Sequence, residues 1–201
     1  MFFLTLKICN YNVIFFKKIK FGIKMQEILR PRVNFKKLRR FSQFALEKGA
    51  IRTKIIPVRT IVAVPWVKLK CQYWCKNYGK SKVCPPNSPK YDETKAVINY
   101  YEKAILIHGN DKATVTKIAL ETEKEAFLSG CYKAFAYGAG PCKLSPEDDS
   151  IDSGENIEQE RPLLDAVGID VFQTARNNGF RIDILYSPEI RPNYFSLVLI
   201  E

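Results

Sequence analysis

Histidine is nearly absent from this 201-residue chain, with His108 as the only one. A serine or cysteine relay would have to be built on that residue, and no Gly-x-Ser-x-Gly elbow accompanies it, so hydrolysis by an activated nucleophile is not indicated. Long apolar runs are missing as well. Met1 to Leu6 and Val13 to Phe16 are broken by Lys7 and by Asn10 to Asn12, well short of the roughly 18 apolar residues that a membrane-spanning helix requires. A secretory leader is not expected, because the lysines follow the apolar stretch instead of preceding it. Nucleotide loops fail by single residues. Gly79-Lys80-Ser81 has Trp74 where a phosphate-binding loop needs its first glycine, and Gly138-Ala139-Gly140 is followed by Lys143 where a dinucleotide fingerprint needs its third.

Acids are absent from the first 24 residues, which hold Lys7, Lys17, Lys18, Lys20 and Lys24. The formal net charge of +11 therefore falls to +6 over residues 25–201. The rest of the chain is only mildly basic, so nucleic acid is not the expected partner. Residues 1–24 read as a basic N-terminal arm or a mis-assigned start with Met25 as the working initiator, the alternative being a short amphipathic membrane anchor. Residues 25–201 are expected to form a single metal-binding domain. At 46% hydrophobic and 26% charged residues, the composition is that of a globular protein with a core to bury.

Apolar spacing predicts a helix over Phe35 to Lys48 ended by Gly49, two adjacent strands at Ile51 to Val58 and Thr60 to Val64, and a helix over Asp92 to Tyr101. A buried strand follows at Ala104 to His108, then a long helix over Lys112 to Leu128 ended by Gly130. A helix over Asp165 to Asn177 with a cap at Gly179 precedes strands at Arg181 to Tyr186 and Tyr194 to Ile200. This order predicts an α/β or α+β fold: a mixed sheet with helices packed on it and a cysteine-rich metal loop. The basic run Arg30, Arg32, Lys36, Lys37, Arg39 and Arg40 reads first as the solvated side of the first helix, and also as a docking surface for a partner.

The chemistry is concentrated in Cys71-Gln-Tyr-Trp-Cys75-Lys-Asn-Tyr-Gly-Lys-Ser-Lys-Val-Cys84-Pro85-Pro86. Three thiols this close, without a secretion signal, point to metal chemistry before disulfide chemistry, and the expected compartment is the cytoplasm. Thiolates bind iron–sulfur clusters and zinc. Structural zinc sites usually carry two short paired knuckles, whereas this stretch has one three-residue gap and one eight-residue gap, which favours an iron–sulfur cluster, of the 4Fe–4S type, over zinc. Gly79 frees the loop and Pro85 and Pro86 stiffen its exit. Tyr73, Trp74 and Tyr78 are expected to keep water away. For the fourth ligand Cys142, in a Gly-Pro turn, ranks ahead of Cys131, His108 or none. Cys131 reads equally as a buried small hydrophobe, and His108 as a satisfied rim residue.

Several blocks together resemble an uncharacterised prokaryotic family of predicted metal-binding proteins, a domain of unknown function of the Cys-x3-Cys-x8-Cys-Pro-Pro type. They are Val64 to Cys71, the Cys71/Cys75/Tyr78-Gly79/Cys84-Pro-Pro pattern, Gly130 to Lys133 leading to Gly140-Pro141-Cys142, and Arg161-Pro162 through Ala166 to Phe172 with Thr174-Ala175. The resemblance spans about residues 60 to 200 and implies cysteine-ligated metal with no established reaction. Family members continue with further cysteines that imply a second cluster, but here Ser145 stands where the next is due. Pro146 to Glu160 holds seven acids and no cysteine, and reads as a solvated acidic loop. Asp165 is expected to cap a helix or to pair with Arg161. Three functions stay open: electron transfer to or from a redox partner protein, a structural zinc-binding interaction module, and a cluster enzyme with an open iron site.

Overall fold

The apolar residues Leu38, Phe41 and Ala45 recur at helical spacing, and they form the buried stripe of helix α1 (Phe35–Glu47). Asn34 starts it by accepting the Lys36 N–H at 2.9 Å. The computed structural model describes residues 34–76, 78–80, 83–139, 161–184 and 191–201. After α1 come strand β1 (Arg52–Pro57), helix α2 (Trp66–Trp74), helix α3 (Tyr91–Ile98), strand β2 (Lys103–Gly109) and helix α4 (Lys112–Leu128). Strand β3 (Phe135–Tyr137), helix α5 (Val171–Asn177) and strand β4 (Tyr194–Leu199) complete the order.

The four strands lie in the order β1-β2-β4-β3, and every neighbouring pair is antiparallel. The fold is therefore α+β. Where a mixed sheet was expected, the one parallel pairing among the described residues is the isolated bridge from Gly138 to Leu163. Because β2 and β3 both run antiparallel to β4, they are parallel to each other, and α4 connects them as the crossover of a split β-α-β unit.

Both faces of the sheet are covered, which explains the continuous apolar run of β2. Ile105 and Ile107 join Val198, Ile200 and the buried sides of α1 and α4. Ala104 and Leu106 join Phe195, Leu197, Leu199, Ile98 of α3, Val167, Ala175 of α5 and Phe180 on the other face. Each fully buried Ile or Leu contributes about 1.5–3 kcal/mol by removal from water.

Two departures from the expected elements have local causes. Residues 60–64 do not form a strand: Val58–Thr60 is a 3₁₀ turn, the Val62 N–H goes to Thr174 Oγ1 at 3.0 Å, and only Ala63 makes a bridge, to Ile169. The helix expected over Asp165 to Asn177 is split. Asp165–Val167 is a 3₁₀ turn ended by Gly168 at φ +86°, after which Asp170 restarts the chain as the cap of α5, accepting the Gln173 N–H at 2.9 Å. Gly168 has a packing reason as well, since a Cβ there would stand 2.8 Å from Cβ of Tyr91 and 3.3 Å from the Val64 carbonyl oxygen. Residues 181–184 are irregular, and the remainder of the strand expected to reach Tyr186 lies outside the described residues, as do residues 1–24, Cys142 and the acidic segment 146–160. Among the described residues no helix is long and apolar enough to cross a membrane.

Candidate metal centre

Helix α2 carries Cys71 and stops at Cys75, which turns into extended backbone while its N–H still reaches the Cys71 carbonyl at 3.3 Å. Only Val67 of this helix is buried. The helix packs on the 3₁₀ turn Asp165–Val167 and is tied at its entry by the Val64 N–H, which donates to the Gly168 carbonyl at 2.8 Å. Beyond Cys75 the Tyr78 N–H donates to the Cys75 carbonyl at 3.2 Å, and Gly79, at φ +76°, lets its N–H close back onto the Pro85 carbonyl at 2.8 Å. This last bond fastens the two arms of the loop that separates Cys75 from Cys84.

The exit is pinned to the body of the protein. Ser88, almost wholly buried, donates its N–H to the Cys84 carbonyl at 3.0 Å and its Oγ hydroxyl to the Ala166 carbonyl at 2.7 Å. Lys68 Nζ donates to the Pro89 carbonyl at 2.7 Å and stands 3.5 Å from the Ser88 carbonyl. Residues far apart in sequence thus position Cys84 relative to α2. None of these supports was legible beforehand, because a buried serine and a lysine have no sequence signature of their own.

Cys71, Cys75 and Cys84 are thiols, none of them in a disulfide, with Cys75 exposed and the other two partly covered. The Cys71 thiol is pushed up to about 11, first by burial, then by the negative charges of Asp165, Cys75 and Cys84, with Lys68 opposing. Cys71 is thus the thiol that feels the other two. Among the described residues, however, no three His, Cys, Asp or Glu side chains are gathered at the spacing of a single-ion site. The donor chemistry fits a thiophilic group: one soft sulfur on α2, two on the loop that follows, a carboxylate beside Cys71, and no histidine.

Asp165 does not pair with Arg161. It is solvent-exposed by area though crowded by protein; crowding raises its carboxyl, Lys70 draws it back down, and Asp170 adds a smaller upward push. Arg161 instead grips Glu123 of α4 with Nη2 at 2.7 Å and Nε at 2.9 Å, while Glu123 also accepts the Ala136 N–H at 2.8 Å. This clamp holds β3 to α4 and is structural. The remaining ligand alternatives sit elsewhere. Cys131 is buried in the core beneath α1 and α4. His108 shares a 2.7 Å hydrogen bond with Asn193 Oδ1 and lies against Phe195 and Phe180, the satisfied rim residue expected.

The aromatic shield is contradicted. Tyr73 is 73% and Trp74 80% exposed, and Tyr78 also faces solvent, while Val67 is the one residue of α2 that is buried. The basic side of α1 is likewise less available than its sequence implies. Arg40 pairs with Glu125, Lys48 pairs with Glu121 at 2.9 Å, and Lys37 donates to the Ser129 carbonyl at 3.2 Å, all on α4 or its end.

An α+β protein with a cysteine-bearing loop at the rim of its second helix is the class that these features define. A family model described as "Predicted metal-binding protein (DUF2284)" matches residues 54–200, and the chain belongs to that family. No curated protein and no solved structure matches the chain.

Proposed function

We propose that Cys71, Cys75 and Cys84, with Cys142 as fourth ligand, hold one iron–sulfur cluster, and that the protein exchanges single electrons with a partner protein. The observation that supports this reading is that Cys71, Cys75 and Cys84, none of them in a disulfide, stand on the end of α2 and the loop after it, a loop closed by the Gly79 to Pro85 bond. A bound cluster would supply a one-electron redox centre. The chain contributes the rest. The Gly79 to Pro85 bond and the Ser88 to Ala166 bond tie the ligand-bearing arms to each other and to the body of the protein, and loading would draw the sulfurs together from there.

Exposure supports electron exchange over a purely structural role. A centre that exchanges electrons with a partner has to lie near the surface, and Cys75 is exposed and bordered by the exposed Trp74 and Lys76. Those exposed aromatics also suit the second reading, a zinc-holding interaction module. Anaerobic purification separates the two. The expected result is a brown protein whose broad visible absorption bleaches with dithionite and is lost in Cys71→Ala and in Cys142→Ala. A colourless protein holding one zinc would overturn the cluster. A cluster retained in Cys142→Ala would mean an open iron site and an enzyme.

A further inference from the structure

We infer that the rim formed by the end of α2 and the loop from Cys75 to Lys80 is a docking face for an acidic protein; the choice of an electron carrier as that partner rests on the cluster reading above. Residues 61–91 contain six lysines (Lys68, Lys70, Lys76, Lys80, Lys82 and Lys90) and neither aspartate nor glutamate. Trp66, Leu69, Tyr73, Trp74 and Tyr78 are all exposed, and Lys70 Nζ sits 5.1 Å from the centre of the Trp66 ring.

Tryptophan and tyrosine anchors bordered by cations have the make-up of an interface core with a charged rim. The charge selects the occupant. Lys68 is committed to the Pro89 carbonyl and Lys70 lies beside Asp165 and Trp66, while Lys76 and Lys80 are exposed on the side of the cysteine loop that follows Cys75 in the chain. An acidic surface is steered onto that side by long-range attraction, and the aromatic rings supply the short-range contact.

A protein suits this face better than a nucleic acid. Phosphate backbones are gripped by the planar fork of arginine, and the chain has no arginine between Arg59 and Arg161. Lysines act as point charges, which favour a fast and transient encounter over a fixed phosphate register. The face also borders the thiols directly, so a carrier seated there lies next to the proposed centre. On helix α1, by contrast, Arg40 and Lys37, with Lys48 at its end, are engaged with α4 or its end, and Arg39 lies over the Phe35 ring at 4.8 Å.

The test titrates the anaerobically purified full chain with an acidic flavodoxin, by calorimetry at low and at physiological salt. Binding should weaken about tenfold between the two salt levels. It should weaken about tenfold or more in the double variant Lys76→Glu/Lys80→Glu and in Trp74→Ala, and by less in Lys76→Gln/Lys80→Gln. All of these positions are exposed, so the melting temperature should hold, which checks that the variants fold. Absence of salt-dependent binding, equal affinity in the charge-reversed variant, or tighter binding to a single-stranded oligonucleotide than to flavodoxin each overturns the docking face. Metal content and dithionite bleaching of the same samples report separately on the cluster. A zinc-loaded protein that still binds flavodoxin through this face would sink the electron-transfer reading and leave the docking face standing.

Discussion

Replacing Ser88 by alanine removes one oxygen atom and tests whether the cysteine loop is held from outside. Its hydroxyl donates to the Ala166 carbonyl at 2.7 Å in a nearly solvent-free setting. Loss of a donor that leaves a buried acceptor unpaired costs about 1–3 kcal/mol. At about 2–4 °C per kcal/mol for a chain of this size, the melting temperature should fall by about 4–8 °C for a central loss of about 2 kcal/mol. The same tie fixes the segment that follows Cys84, so a loop that must be closed to hold metal loses up to a comparable free energy, about 5–30-fold in retention. Chelator-driven metal release followed alongside thermal unfolding reads both effects. Ser42→Ala is the control, because its 2.8 Å contact with Thr53 joins α1 to β1 away from the loop. That variant should lose stability and keep its metal. The reasoning fails if Ser88→Ala melts like the parent chain, or if it releases metal no faster than Ser42→Ala.

Three further outcomes follow from the same geometry. Glu123→Ala removes the carboxylate that holds the half-buried Arg161 and the Ala136 N–H, so chemical denaturation should show a loss of about 3 kcal/mol, with strong non-additivity against Arg161→Ala; a loss under about 0.5 kcal/mol contradicts the clamp. At the start of α4 the Thr114 N–H holds the Asp111 carboxyl below its usual range. The folded chain therefore takes up that proton less readily than the unfolded one, and the cap's contribution is whole above the ordinary carboxylate range and disappears as pH falls through the lower folded value. Asp111→Ala should accordingly cost about 1 kcal/mol at neutral pH and almost nothing in strong acid, and a pH-independent cost would refute this. In metal-free protein, Asp165→Asn removes a charge that helps to raise the Cys71 thiol, so iodoacetamide should modify Cys71 faster than in the parent at the same pH. An unchanged rate would place Asp165 out of reach.

The elements that were legible in the sequence are those with a strong period and clear ends. Helix α4 runs from Lys112 to Leu128 as expected, because Asp111 and Gly130 bracket a long amphipathic stretch. Strand β2 stood out as an unbroken apolar run for a reason visible only in three dimensions, namely that both of its faces are covered. Strand β3 is three residues long and carries no period to detect. Gly168 was visible as a residue, but neither its left-handed backbone, which splits one expected helix into a turn and α5, nor the close approach of Tyr91 and Val64 that leaves no room for a Cβ was. The cysteine spacing was legible because ligand chemistry is local. The exposure of Trp74 and the neighbours of Cys71 were not, since they depend on which way a helix with one buried stripe is laid against residues ninety positions downstream.

Iron, acid-labile sulfide and zinc measured on the anaerobically purified chain bear most directly on what the thiols hold. The account predicts iron and sulfide in equal amounts, near four of each per chain, with both lost when Cys71, Cys75 or Cys84 is replaced by alanine. Stoichiometric zinc without sulfide, or a metal content indifferent to those three replacements, would contradict it.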